Sequence, residues 1–282
     1  MSGHAGTAPR SSSIHTGWSG RFLQCAAAAV IAWALAGCAN APGDGPREDL
    51  KTSSDQTDAD KRARVRLELA AGYFSRGQAT TALDEVKLAL AARPDLPEAF
   101  NLRGLIYAAL GEPRLAEDSF RRALQLAPRD ADAMHNFGWF LCQSSRFAES
   151  DGLFRQALAQ PQYRDTVRTL MAQGVCQARA QRWSDAEATL TRAYELDPGN
   201  PVSGFHLAEL LFRRGEFERA RFYVRRVHLR REFSTPQSLW LGVRLERRLG
   251  DTLAMRALGQ QLQERFPQSP ETLMYEKGRF DD

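Results

Sequence analysis

Assembled catalytic motifs are what this sequence most plainly lacks. Beyond residue 38 it has only three histidines, His135, His206 and His228, spread along the chain. There is no His-x-x-x-His pair, no Cys-x-x-Cys, no glycine-rich phosphate loop and no Gly-x-Ser-x-Gly elbow. Those absences argue against zinc hydrolases, dithiol oxidoreductases, nucleotide hydrolases and α/β-hydrolases. The expectation is a protein that is not an enzyme, with no metal, cofactor or small-molecule substrate. Four cysteines are too few for a disulfide scaffold and have no zinc-ligand spacing. Thirteen prolines and 21 glycines are too few for a collagen-like or low-complexity chain. The 38 basic and 34 acidic residues are interspersed, so the basic pI does not point to nucleic acid.

Long apolar runs are also scarce. Residues 22–36, FLQCAAAAVIAWALA, form a short one, below the roughly 20 residues a membrane-spanning helix needs. The segment before it carries Arg10 and Arg21 and no acid. A basic region, a short apolar core and small residues at its end describe a secretory signal over 1–37. The run ends Leu35-Ala36-Gly37-Cys38, which resembles the bacterial lipobox. That resemblance implies that Cys38 becomes the mature N-terminus and carries acyl chains, several of which make a stable membrane anchor. Ala39 in the next position implies outer-membrane rather than inner-membrane placement. A polar, turn-rich stretch follows, so 38–62 reads as the lipidated N-terminus and a flexible tether. Such a tether reaches about 25–30 Å.

The body has a 34-residue period. Six units fit it: 63–96, 97–130, 131–164, 167–200, 201–234 and 236–269. A turn residue ends each first helix, at Gly77, Gly111, Ser145, Gln181, Gly215 and Gly250. Position 8 holds Ala70, Gly104, Gly138, Gly174, Ala208 and Val243. Position 20 holds Ala82, Ala116, Ser150, Ala186, Ala220 and Met255, and position 27 is also small in four units. Position 24 is larger: Val86, Phe120, Phe154, Leu190, Val224, and then Gly259 in the sixth unit. Small residues let two antiparallel helices approach, the larger one fills the space between them, and late prolines such as Pro94, Pro128 and Pro198 end the second helix. One helix pair cannot bury its apolar face, so neighbours must stack. The expected fold is therefore all-α, a right-handed superhelical solenoid of about six tetratricopeptide (TPR) helix–turn–helix repeats over 63–269. A short polar tail, 270–282, follows.

Cys142 and Cys176 lie one period apart, on first helices of adjacent repeats. In an oxidising envelope compartment they are expected to form a disulfide, the alternative being two buried free thiols. The run Arg225-Arg226-Val227-His228-Leu229-Arg230-Arg231 could meet an acidic partner or anionic lipid, but interleaved glutamates favour a solvated helix face.

Several segments carry a more specific likeness. They are His135-Asn136-Phe137-Gly138-Trp139-Phe140-Leu141-Cys142, Arg146-Phe147-Ala148-Glu149, Gly174-Val175-Cys176, Ser238-Leu239-Trp240-Leu241-Gly242 and Phe266-Pro267. Together with the lipobox they resemble the PilW/PilF family of type IV pilus biogenesis lipoproteins. The resemblance implies an outer-membrane, periplasm-facing pilotin that assists localisation and multimerisation of the pilus secretin, and so pilus assembly and twitching motility. The alternative is a TPR lipoprotein scaffold of outer-membrane or cell-wall assembly. The implied partners are a secretin subunit and, through Cys38, the membrane.

TPR arrays usually bind along a groove lined by first-helix positions 2, 5, 9, 12 and 13. In the first three repeats the candidates are Leu67, Asn101, Leu105, His135 and Trp139. Leu67 and Ala71 stand where a carboxylate clamp would need basic and asparagine side chains, so the groove suits an apolar or extended segment.

Overall fold

The computed structural model describes residues 57–280, and the signal, lipobox and tether up to residue 56 lie outside it. Among the described residues there are thirteen α-helices and no strand. Six antiparallel pairs follow one another: α1 (Asp58–Ser75) with α2 (Ala79–Ala92), α3 (Pro97–Ala109) with α4 (Pro113–Leu126), α5 (Ala131–Gln143) with α6 (Phe147–Leu158), α7 (Thr166–Arg179) with α8 (Trp183–Leu196), α9 (Pro201–Arg213) with α10 (Phe217–His228), and α11 (Pro236–Leu249) with α12 (Thr252–Arg265). A thirteenth helix, α13 (Pro270–Glu276), packs against both α11 and α12. Consecutive first helices α1, α3, α5, α7, α9 and α11 also touch one another, so the array is a TPR solenoid with the first helices on its inner face.

The small and large columns meet as the period requires. A Cβ added to Gly104 would lie 2.7 Å from the Phe120 ring, and one added to Gly174 would lie 2.6 Å from Leu190. Position 8 is therefore small because position 24 of the same repeat occupies the space. Where position 8 is alanine, at Ala70 and Ala208, position 24 shrinks to Val86 and Val224, all buried. Repeat six reverses the pair, with Val243 at position 8 and Gly259 at position 24. The reason lies outside the repeat: a Cβ on Gly259 would come 1.9 Å from Tyr275 of α13.

Each first helix ends in one residue of left-handed backbone. Gly77, Gly111, Gly215 and Gly250 supply it, and so do Ser145 and Gln181, both at φ 59°. Those two bear the cost that a Cβ imposes in this region.

Two boundaries differ from the sequence reading. The expected tether runs to residue 62, but α1 begins at Asp58. Thr57 and Asp60 form a reciprocal capping box there, and Arg93 at the end of α2 pairs with Asp60. This cap satisfies the first orphan amides and adds a turn to the helix. The expected polar tail contains α13, capped by Ser269. Its apolar side was missed because it is short: Tyr275 and Phe280 pack with Trp240, whose ring stacks on Phe280 at 5.6 Å.

Candidate functional site

The candidate site is the inner face formed by the first helices. Leu67 and Leu105 are half-buried there, Leu67 packed on the cluster that joins repeats one and two and Leu105 on the one that joins repeats two and three. Asn101 accepts a hydrogen bond from the Asn136 amide at 3.2 Å, and the Asn136 carbonyl oxygen accepts one from Arg168 at 3.2 Å. These contacts make a polar ladder across α3, α5 and α7.

His135 does not belong to the exposed groove as expected. It is 5% exposed. Its Nδ1 lies 2.8 Å from the Thr169 hydroxyl, which in turn meets the Tyr163 hydroxyl at 2.6 Å. Its ring faces Phe154. Burial, helped by the Arg168 charge, lowers its pKa to about 4, so it is neutral near neutral pH. The physical cause is local: the longer connection between repeats three and four, 159–165, brings Tyr163 over it, and Thr169 reaches it from the first turn of α7.

Trp139 is the predicted groove residue that lines a cavity. That cavity, about 280 Å³, is shared by three first helices: Trp139 from α5, Val175, Ala178 and Arg179 from α7, and Glu209 and Arg213 among others from α9. The Arg179 guanidinium sits 5.6 Å from the Trp139 ring centre. Glu209 is held below the ordinary glutamate value by His206 and by Arg213, against the opposing effect of burial. A second cavity, about 370 Å³, continues from α9 to α11 and α13. Both lie over repeats three to six rather than one to three. The positional rule would have found their lining had it been carried further, since Val175, Glu209 and Arg244 occupy position 9 and Arg179 and Arg213 occupy position 13.

The Arg225–Arg231 run is on the outer face. Arg225 donates to Glu246 at 3.0 Å, and Arg221 lies 3.5 Å from the same carboxylate. Arg226 lies over Phe222 and Arg230 over Phe233. Much of the run is thus held by contacts within the fold.

Among the described residues no group of three or more His, Cys, Asp or Glu side chains could hold a metal ion. None of the described helices is long and apolar enough to cross a membrane.

Residues 97–130 and 177–234 match tetratricopeptide-repeat family profiles. The type IV pilus assembly protein PilF of Pseudomonas aeruginosa is 25% identical over 242 residues, covering 86% of this chain and 93% of that protein. The crystal structure of PilW, described as a widely conserved type IV pilus biogenesis factor, superposes with a TM-score of 0.70 at 31% identity, covering 76% of this chain and 97% of that one. The chain belongs to the PilF/PilW family of type IV pilus biogenesis TPR proteins. The Pseudomonas aeruginosa PilF structure shares the fold, with a TM-score of 0.66 at 24% identity, and is covered completely.

In this PilF/PilW-family chain the junction of repeats three and four is also tied covalently. The structure joins Cys142 of α5 to Cys176 of α7 by a disulfide, with Cα atoms 5.8 Å apart. Ser150 donates to the Gly138 carbonyl beneath it and lies 3.3 Å from the Cys176 sulfur. Beside it, the buried Asp151 carboxylate accepts from Gln173 at 2.8 Å, Gln177 at 3.1 Å and Arg182 at 3.3 Å. Burial pushes that carboxyl up, but the three donors outweigh it and hold it below the ordinary aspartate value.

Proposed function

We propose that this protein is an outer-membrane lipoprotein adaptor, a pilotin, that assists localisation and multimerisation of the pilus secretin. The observation that carries the reading is the match to PilW across 97% of that chain at 31% identity. The lipobox ending in Cys38 supports anchoring of the array to the periplasmic side of the outer membrane through acyl chains. The inner face, with half-buried Leu67 and Leu105 and the Asn101–Asn136 ladder, supports contact with an extended segment rather than chemistry on a substrate. The protein acts without catalysis in this reading. The Cys142–Cys176 bond belongs to the proposal as the form present in the oxidising envelope.

Replacing Leu105 or Trp139 with aspartate places an unpaired charge in the contact and opposes its desolvation. The variants are expected to keep helical circular dichroism and export while the heat-resistant secretin multimer falls. Arg225→Gln with Arg226→Gln should matter less. Normal multimers in the groove variants, with loss in the arginine variant, would put the contact on the outer face. Cys38→Ser should give a folded protein that no longer fractionates with the outer membrane in a strain lacking the secretin. Recovery of barrel-assembly or wall-hydrolase proteins instead of secretin in pull-downs would favour the scaffold alternative.

A further inference from the structure

The two inner-face cavities differ in how their charges are settled. In the second one, Phe205, Phe212, Trp240 and Leu241 form an apolar wall, and Glu209, Arg213, Arg244 and Glu271 bring charge to it. Three of the four are engaged. Arg213 donates to Glu209 at 2.9 Å, and Arg244 lies with its guanidinium 4.6 Å from the Phe212 ring centre and has further interactions. Glu271 is different. It is 7% exposed, and its buried Oε2 has no hydrogen-bond partner among the described residues. A buried carboxylate oxygen without a donor is costly, and a donor supplied from outside removes that cost.

We infer that this cavity is the receptor for a lysine or arginine side chain carried on an extended segment of a partner protein. The aliphatic stem lies along Phe205, Phe212 and Leu241, and the charged end meets Glu271. A cation at this place also gains from the aromatic faces around it. Discrimination against an anionic side chain rests on the uncompensated Glu271 Oε2, since Arg213 is paired with Glu209 and Arg244 lies against Phe212 and has further interactions. The occupant is a segment rather than an isolated cation, because Glu209 and Arg213 line both inner-face cavities. The two cavities thus adjoin at this pair, and a chain seated in one has the other beside it. Trp240 is held in place as the cavity wall by Phe280, stacked on it at 5.6 Å.

The cavity lies in repeats five and six, beyond Leu67, Leu105 and the Asn101–Asn136 ladder; the adjoining first cavity shares Trp139 with the proposed groove contact, and the test does not depend on which protein binds there. The test uses side-chain mimics on the full chain: n-butylguanidinium, n-butylammonium and, as the uncharged control, n-butanol. Each is titrated while the Trp240 indole N–H is followed by nuclear magnetic resonance, assigned with Trp240→Phe. The cations are expected to shift this resonance with an affinity about tenfold or more above that of the alcohol, the margin expected of a charge-assisted hydrogen bond. Glu271→Gln should abolish the preference for cations, and exposed Glu218→Gln should leave it intact. Gln237→Glu adds a second carboxylate to the same lining and should tighten cation binding severalfold, which keeps the test decisive even if Glu271→Gln loosens α13. Equal binding of alcohol and cations, unchanged cation binding in Glu271→Gln, or no shift of Trp240 with either cation overturns the proposal. None of these outcomes bears on the secretin-multimer experiment.

Discussion

Where repeat four meets repeat five the connection is short, 197–200, and the buried part of the junction is apolar, with Glu187 paired to Arg214 and Arg219 at its edge. Leu190, Leu207, Leu211, Val224, Leu241 and Leu245 form one buried cluster that runs on into repeat six. Where repeat three meets repeat four the connection is longer, 159–165, and the junction is polar and covalent. It holds His135 against Thr169, Asp151 among Gln173, Gln177 and Arg182, and the Cys142–Cys176 bond. The other long connection, 229–235, repeats part of this solution: His228 Nε2 lies 3.2 Å from the Ser238 hydroxyl. Thr169 and Ser238 both occupy position 3 of the repeat that follows a long connection. Apolar burial is non-directional, so it suffices where a short loop already sets the register. A longer loop sets it less well, and directional hydrogen bonds at a fixed position take over.

The strongest way to break this contrast is acid. Burial lowers both His135 and His228 to about 4, so below the unfolded value of 6.5 the unfolded chain binds more protons than the folded one. Stability from keeping these rings neutral is full above about pH 6.5 and is lost as pH falls toward 4, by about 3 kcal/mol for each histidine. Thermal midpoints measured from pH 7 to 4 should fall steeply. His135→Gln with His228→Gln should flatten that decline, whereas an unchanged slope would remove the histidines from the account.

Next in size is the covalent tie. Cys142→Ala with Cys176→Ala is expected to cost about 3–4 kcal/mol from loop entropy. Hydrogen exchange should show the loss first at α5–α7. Leu207→Ala should cost a comparable amount, about 2–5 kcal/mol, but at α8–α11, and reductant should leave that region unaffected. Equal loss of protection along the whole array in both variants would mean that the two junctions melt as one unit.

A smaller effect tests the helix contact within a repeat. Gly174→Ala drives a Cβ into Leu190 and should cost about 1–3 kcal/mol by thermal unfolding. Pairing it with Leu190→Val should recover part of the loss. The smallest change is expected at the turns. Ser145→Gly and Gln181→Gly relieve left-handed backbone and should each stabilise by roughly 0.5–1 kcal/mol. Gly215→Ala should do the reverse by a similar amount.

Much of the fold was legible because the helix pair repeats. The columns at 8, 20 and 24 are contact pairs, and six copies of a contact pair stand out in a sequence even when each copy is weak. The ends were harder to read, since neither has a second copy to compare with. The Thr57–Asp60 cap looked like polar linker, and α13 shows its purpose only once Gly259 and Tyr275 are seen together. The inner face was half legible. Trp139 followed from position 9, but the same rule in later repeats would have reached Glu209 and Arg244. His135 misled because a groove position becomes interior when a neighbouring loop folds over it. Glu271 could not be found by repeat position, because it belongs to the helix beyond the last repeat.

That last helix has a consequence for what the molecule can become. Stacked helix pairs have no inherent last member: each offers its neighbour much the same face it received, and nothing in the period forbids another copy or another molecule from joining the row. Here the sixth pair has surrendered its bulky residue at position 24, and Tyr275 has taken the vacancy. Concatenation at this end would require evicting a ring from a slot shaped around it, so the row stops by a lock and key of its own making.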